Sequence, residues 1–178
     1  MTHLLKGFFK EISTNKHLQE RLYHTKEISD VAVIANELGF KITAAEVLKA
    51  QAGRLIELSA SKPEEAKLAT IGKKPNLGAQ WGREGKGFLE NAGYWLIQLH
   101  DYGYSIQSYN PDIENLLLQI DINNEFKSKI NDCKTIAEIA KIAQESGFKV
   151  SAIALLVYQA LNILSLDDQH VDLVAHGG

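Results

Sequence analysis

The sequence predicts an all-α protein: two small helix–Gly-Phe–helix domains related by an internal repeat, joined by a glycine-rich linker and a central aromatic helix. Three observations predict it. First, residues 34–41, Ile-Ala-Asn-Glu-Leu-Gly-Phe-Lys, return as residues 142–149, Ile-Ala-Gln-Glu-Ser-Gly-Phe-Lys. The offset from Gly39 to Gly147, 147 − 39 = 108, also pairs Ile12 with Ile120, Asn15 with Asn123, Lys26 with Lys134, Ala32 with Ala140, Ala44 with Ala152 and Gln51 with Gln159, without a gap. So long a period indicates a duplicated domain rather than a solenoid repeat. Second, apolar residues recur at helical spacing through most of the chain. Third, connections of two to four residues favour compact antiparallel helices, and no strands are expected.

Leu4, Leu5, Phe8, Phe9 and Ile12 share one face of a helix over residues 3–13. Thr14 or Asn15 then caps a short helix carrying Leu18 and Leu22. Thr25 or a near neighbour opens a third, with Ile28, Val31, Ala32 and Ala35 on one side. Gly39 follows it as the residue that tolerates a left-handed backbone, and Phe40 and Ile42 clasp back. Thr43-Ala-Ala-Glu46 is a capping box that starts a fourth helix to about Leu58.

The middle differs in character. Ser61-Lys-Pro-Glu64 is expected to cap a short helix ending near Thr70. A glycine-rich stretch from Gly72 to Gly87 reads as a linker. Phe88, Ala92, Trp95, Leu96 and Leu99 then form a helix that Gly103 ends, with Tyr102, Tyr104 and Tyr109 at its exit. Those tyrosines, with Tyr94 and Trp95, are expected to seat this helix against the two repeats.

Asn110-Pro111 starts the second copy. Leu116, Leu117 and Ile120 mirror Phe8, Phe9 and Ile12, and Phe126 and Ile130 mirror Leu18 and Leu22. Thr135-Ile-Ala-Glu138 caps its third helix, and Ser151 opens an apolar helix through Leu164. The expected division is 1–58, 59–110 for linker and central helix, 111–166, and a tail over 167–178.

Composition narrows the function. The net charge of −3 argues against a nucleic-acid surface, which needs concentrated Lys and Arg. Cys133 is the lone cysteine, so no intrachain disulfide forms, and a cytoplasmic location is expected. No apolar run approaches a membrane span, and the N-terminus is too soon polar for a secretion signal.

An apolar first helix, a short Asn-x-x-Leu/Phe-x-x-x-Leu/Ile helix, a helix ending in Gly-Phe and a fourth helix together resemble the Nif-eleven-type leader domain. The tail, Leu164-Ser165 followed by Val171, Val174-Ala175 and Gly177-Gly178, is similar to the endings of such leaders. The resemblance covers residues 4–58 and 112–178. The family's leaders belong to ribosomally made, post-translationally modified peptide precursors, common in cyanobacteria. It implies a helical leader that docks on a peptide-modifying enzyme. It also implies a double-glycine site at Gly177 and Gly178, cut by a cysteine peptidase that is often fused to an exporter, with Leu166, Val171 and Val174 filling protease pockets.

The chain departs from the family pattern in three ways. It has two such domains where the family usually has one. His176 stands where a glycine is usual, which shifts the apolar register against the glycines by one residue. No core peptide follows Gly178, so the sequence reads either as a leader trimmed of its cargo or as a protein that has lost it. Independently of any family, two glycines let an extended segment thread a narrow protease cleft; the bland alternative is a frayed terminus.

Other chemistry is weighed against bland readings. Gly82-Arg-Glu-Gly-Lys-Gly87 lacks the preceding strand and the Gly-Lys-Ser/Thr ending of a phosphate loop, although its glycines, charges and Trp81 would also suit a recognised segment. His170 and His176, beside Asp167, Asp168 and Asp172, fit no closed zinc set. His100-Asp101 has no matched nucleophile and reads as a helix end. Cys133 replaces Thr25 of the first copy and reads as structural. No cofactor or metal is expected. The reading is therefore a non-enzymatic leader that recruits peptide-modifying enzymes by helix-in-groove docking. Val47, Leu48, Leu155 and Leu156 are expected to stand exposed on the fourth helices as anchors, with Trp95 as a further contact. The alternatives are a stand-alone adaptor without cargo, or a small-ligand-binding or catalytic helical protein centred on residues 72–104, with a pocket of Trp95, Tyr102 and His100.

Overall fold

The structure is a computed structural model, and it describes residues 3–25, 28–73, 89, 91–167 and 169–170. Among the described residues there are ten α-helices and no strands. The first copy comprises α1 (His3–Thr14), α2 (Lys16–Tyr23), α3 (Ile28–Glu37) and α4 (Ala44–Ser61). The middle contributes α5 (Pro63–Thr70) and α6 (Ala92–Asp101). The second copy comprises α7 (Pro111–Ile122), α8 (Asn124–Asn131), α9 (Ile136–Glu145) and α10 (Ala152–Ser165).

The duplication extends to individual hydrogen bonds. The Asn15 side chain caps α2 by accepting from Leu18 N at 3.0 Å, and Asn123 caps α8 by accepting from Phe126 N at 3.1 Å. Thr43 and Ser151 cap α4 and α10 through Glu46 N and Ala154 N, both at 3.1 Å. Each such cap stabilises its helix by about 1 kcal/mol, because it satisfies an amide that the helix itself leaves bare. In the Gly-Phe turns, Gly39 and Gly147 take φ of 90° and 92°, a left-handed backbone that a side chain would strain. Phe40 N then donates to Ala35 O and Phe148 N to Ala143 O, each at 2.9 Å, closing both helices alike. Asn36 Nδ2 reaches Ile42 O at 3.1 Å, and Gln144 Nε2 reaches Val150 O at 3.0 Å.

One helix boundary differs from expectation. Ser61 is the last residue of α4, and its hydroxyl donates back to Glu57 O at 2.7 Å. That local bond takes up the side chain, so α5 follows Lys62 without a side-chain cap and begins on Pro63.

The two copies meet through their equivalent fourth helices, α4 against α10. This overturns the expectation of exposed anchors. Val47, Leu48 and Leu156 are fully buried and Leu155 is nearly so. Helix α4 is packed by α3, α5 and α10, and α10 by α9, α5 and α4. Burying each such side chain is worth roughly 1.5–3 kcal/mol, so these four residues are core and not a free surface.

Helix α6 belongs physically to the second copy. Its first amides donate across to the α8–α9 corner, Ala92 N to Lys134 O at 3.1 Å and Gly93 N to Cys133 O at 3.0 Å. The approach is so close that a Cβ on Gly93 would fall 1.8 Å from Ile130 O. Trp95, Leu96, Ile97 and Leu99 are buried behind this contact, so Trp95 is core and presents no docking surface. The expected aromatic seat is smaller than the sequence suggested. Tyr94 and Tyr104 pack partly against the core, but Tyr102 is 43% exposed and Tyr109 is 99% exposed. Gly103 ends the helix at a φ of 78°, just past the exposed Tyr102. The glycine-rich segment 74–88, with Trp81, the Gly82–Gly87 motif and Phe88, lies outside the described residues.

Candidate functional site

Two places were singled out by sequence, the tail and the region around His100. The tail begins as α10 ends. Leu166 caps α10 with its amide bonded to Ile163 O at 3.3 Å, and its side chain is buried. Leu166 is thus held by the core while the domain is folded, and is not presented to a protease pocket. His170 follows, its amide bonded to the Asp167 carboxylate at 2.9 Å. Its ring stacks on Tyr104 with centroids 4.2 Å apart, and Tyr102 stacks on the same ring at 5.9 Å. Val171, Val174, His176, Gly177 and Gly178 lie outside the described residues, as do Asp168 and Asp172.

Beside Tyr104 is a cleft of about 420 Å³ between the loop after α6 and the flank of α7. It is lined by His100, Ser105, Ile106, Glu114, Leu118 and Asp121, among others. This is not the expected pocket: Trp95 is sealed in the core, and neither it nor Tyr102 lines the cleft. Nor does His100 work with Asp101. Its Nε2 lies 2.8 Å from Asp121 Oδ1 and its Nδ1 lies 3.0 Å from Ser105 Oγ. Asp101 pairs instead with Lys127 at 2.9 Å. Consecutive residues on a helix point about 100° apart, so His100 faces α7 while Asp101 faces α8.

The Ser105–His100–Asp121 chain has the residue types of a nucleophilic triad, but its surroundings give it a strapping role. The imidazole ties the end of α6 to the loop and to α7. The same loop is pinned from behind by Tyr158, whose hydroxyl donates to Ile106 O at 2.9 Å, and by Asn162, which accepts from Ile106 N at 2.8 Å. Burial pushes the Tyr158 phenol above its ordinary range, opposed by hydrogen bonds from Asn162 and Ser105 and reinforced by the Glu114 charge. The Ser105 hydroxyl is therefore engaged by two partners, which suits positioning better than attack.

Cys133 is equally unsuited to nucleophilic work. Burial, and then the charges of Glu138 and Asp132, push its thiol up to about 11. Its Sγ lies 3.4 Å from Lys129 O, much as the Thr25 hydroxyl donates to Leu22 O at 2.6 Å in the first copy. Both residues fill the same corner. Among the described residues no group of three or more His, Cys, Asp or Glu is placed to hold a metal, and no helix is long and apolar enough to cross a membrane.

The sequence reading missed an apolar row beside the cleft. Leu118 is 57% exposed and Ile122, one turn on, is 72% exposed. A comparison between copies exposes it, since the first copy has Lys10 and Thr14 at these positions.

The family model described as the Nif11 domain matches this chain twice, over residues 5–47 and 110–152. No curated protein and no solved structure matches it. The two matched stretches each hold the first three helices of a copy, the Gly-Phe turn and the start of the fourth. The chain therefore carries the Nif11 domain in two tandem copies.

Proposed function

We propose that this chain is a non-catalytic recognition protein. Its tandem domains recruit peptide-modifying enzymes, and a cysteine peptidase of the double-glycine type severs it beside Gly177 or Gly178. One observation carries the reading: two Nif11 domains precede a tail that carries Val171, Val174 and the paired glycines 177 and 178. The burial of Val47, Leu48, Leu155 and Leu156 removes those four residues as anchors. Recruitment in this reading uses residues that stay exposed on the paired domains. Leu166 is likewise held in the core, so the protease pockets are left to Val171 and Val174.

The test is cleavage. The chain, extended by a short peptide after Gly178, is incubated with a double-glycine peptidase and the cut is mapped by mass spectrometry. Cutting after Gly177 or Gly178, abolished by Gly177→Ala with Gly178→Ala, supports the reading. No cut near the tail, or a cut indifferent to that double substitution, overturns it.

A further inference from the structure

We propose that this protein associates with itself through the first helices of its two copies: the basic outer stripe of α1 on one molecule docks on the acidic and apolar outer stripe of α7 on a second. This goes beyond the leader reading and stands without it.

The duplication supplies the argument, because one fold bears opposite chemistry at matched positions. At the offset of 108, Lys6, Lys10 and Thr14 of α1 correspond to Glu114, Leu118 and Ile122 of α7, and Ser13 corresponds to Asp121. At about 100° per residue these positions share one stripe of each helix. That stripe lies opposite the buried Phe8 and Ile12 in α1, and opposite the buried Leu116 and Ile120 in α7. Glu125, three residues beyond Ile122, continues the acidic edge where the first copy has His17; only a loose pairing with Lys129 at 3.9 Å engages it. Over the matched segments 3–24 and 111–132, the first has four basic against two acidic side chains and the second has two basic against five acidic.

A partner for α7 must therefore bring cations and apolar cover together. Lysine brings both, since its methylene stem lies along apolar surface while its ammonium reaches past it to a carboxylate. Leu118 is 57% and Ile122 72% exposed, so the stems of Lys6 and Lys10 have a row to cover. Glu114 and Asp121 both line the cleft beside that row, so an ammonium entering it meets two carboxylates. Each spends one oxygen within the chain, Glu114 on Ser108 N and Asp121 on His100, and each has a second to offer. The occupant is a second copy because every molecule already carries the complementary stripe, on a helix of the same 12 residues. One helix stripe against another is a small contact of the transient kind, and its exposed charges make it salt-sensitive.

The experiment is sedimentation velocity on the full chain over roughly 5–500 μM. The average mass should rise above 19.7 kDa with concentration. Association should be about tenfold weaker at about 0.5 M salt than at about 0.05 M. Lys6→Glu with Lys10→Glu, and Asp121→Lys with Glu125→Lys, should each hold the chain at the monomer mass. Mixed together, the two variants should associate again, because the reversed α1 of one meets the reversed α7 of the other; misfolding would not give that rescue. Carbodiimide cross-linking of isotope-labelled with unlabelled wild type then locates the contact. Bonds should join Lys6 or Lys10 of one molecule to Glu114, Asp121 or Glu125 of the other. A wild type that stays monomeric throughout, association that survives either reversal, or a mixture that stays monomeric overturns the proposal. So do cross-links on these carboxylates that stay within one molecule or come from other lysines, which would seat a different segment on α7.

Discussion

Replacing Gly93 by alanine should detach α6 from the second copy. The Cβ would lie 1.8 Å from Ile130 O, 2.9 Å from its carbonyl carbon and 3.0 Å from Cys133 O. All three are backbone atoms of the α8–α9 corner, which cannot swing aside as a side chain does. Helix α6 must lift, stretching the hydrogen bonds from Ala92 N and Gly93 N, each worth about 0.5–1.5 kcal/mol. Lifting also loosens the packing of Trp95 and Leu96, at an overpacking cost of about 1–3 kcal/mol. Alanine's better helix propensity returns about 1 kcal/mol. The net expectation is a loss of about 1–5 kcal/mol, read from equilibrium urea unfolding. Gly53→Ala is the control. Gly53 lies inside α4 with nothing within 4 Å of an added Cβ, so that change should be neutral or stabilising by up to about 1 kcal/mol. If Gly93→Ala behaves like Gly53→Ala, the docking of α6 on the second copy is refuted.

Other outcomes follow from the same geometry. Leu48→Ala and Leu156→Ala should each lose about 2–5 kcal/mol in urea unfolding, since both are fully buried; losses near zero would restore them as surface anchors. The Cys133 thiol sits at about 11 when folded, against 9.0 as its ordinary value. The folded chain therefore keeps a proton that the unfolded chain releases, so stability is full below pH 9 and falls as pH rises toward 11. Cys133→Thr, which installs the first copy's residue, should flatten that fall in unfolding measured across the range. Asp121→Asn should leave secondary structure intact by circular dichroism and raise hydrogen exchange in the loop 103–107, because the strap from His100 to α7 is weakened.

Much of this was legible in the sequence because it is local. The caps at Asn15, Thr43, Asn123, Thr135 and Ser151, and the left-handed glycines 39, 103 and 147, are set by residues within four positions of each other. What was not legible depends on distant partners. Val47 and Leu156 looked free, but several helices distant in sequence pack on the fourth helices and the two side chains are buried. His100 sits beside Asp101 in sequence, but helix geometry gives it Asp121, 21 residues on. The docking of α6 needed a missing side chain at Gly93, which reads in sequence only as a weak helix position. Leu118 and Ile122 are the exception: aligning the copies at their offset would have marked them as apolar where the duplicate is polar.

The most direct test of the chain as a handle grasped by other proteins uses a short core peptide fused after Gly178. The fusion is co-expressed with a peptide-modifying enzyme of a Nif11-type precursor system, and the mass of the core is measured. A mass change on the fused peptide, absent when the same peptide is expressed detached from the chain, is the predicted result. Equal modification of the detached peptide, or conversion of the core by this chain with no enzyme present, would contradict it.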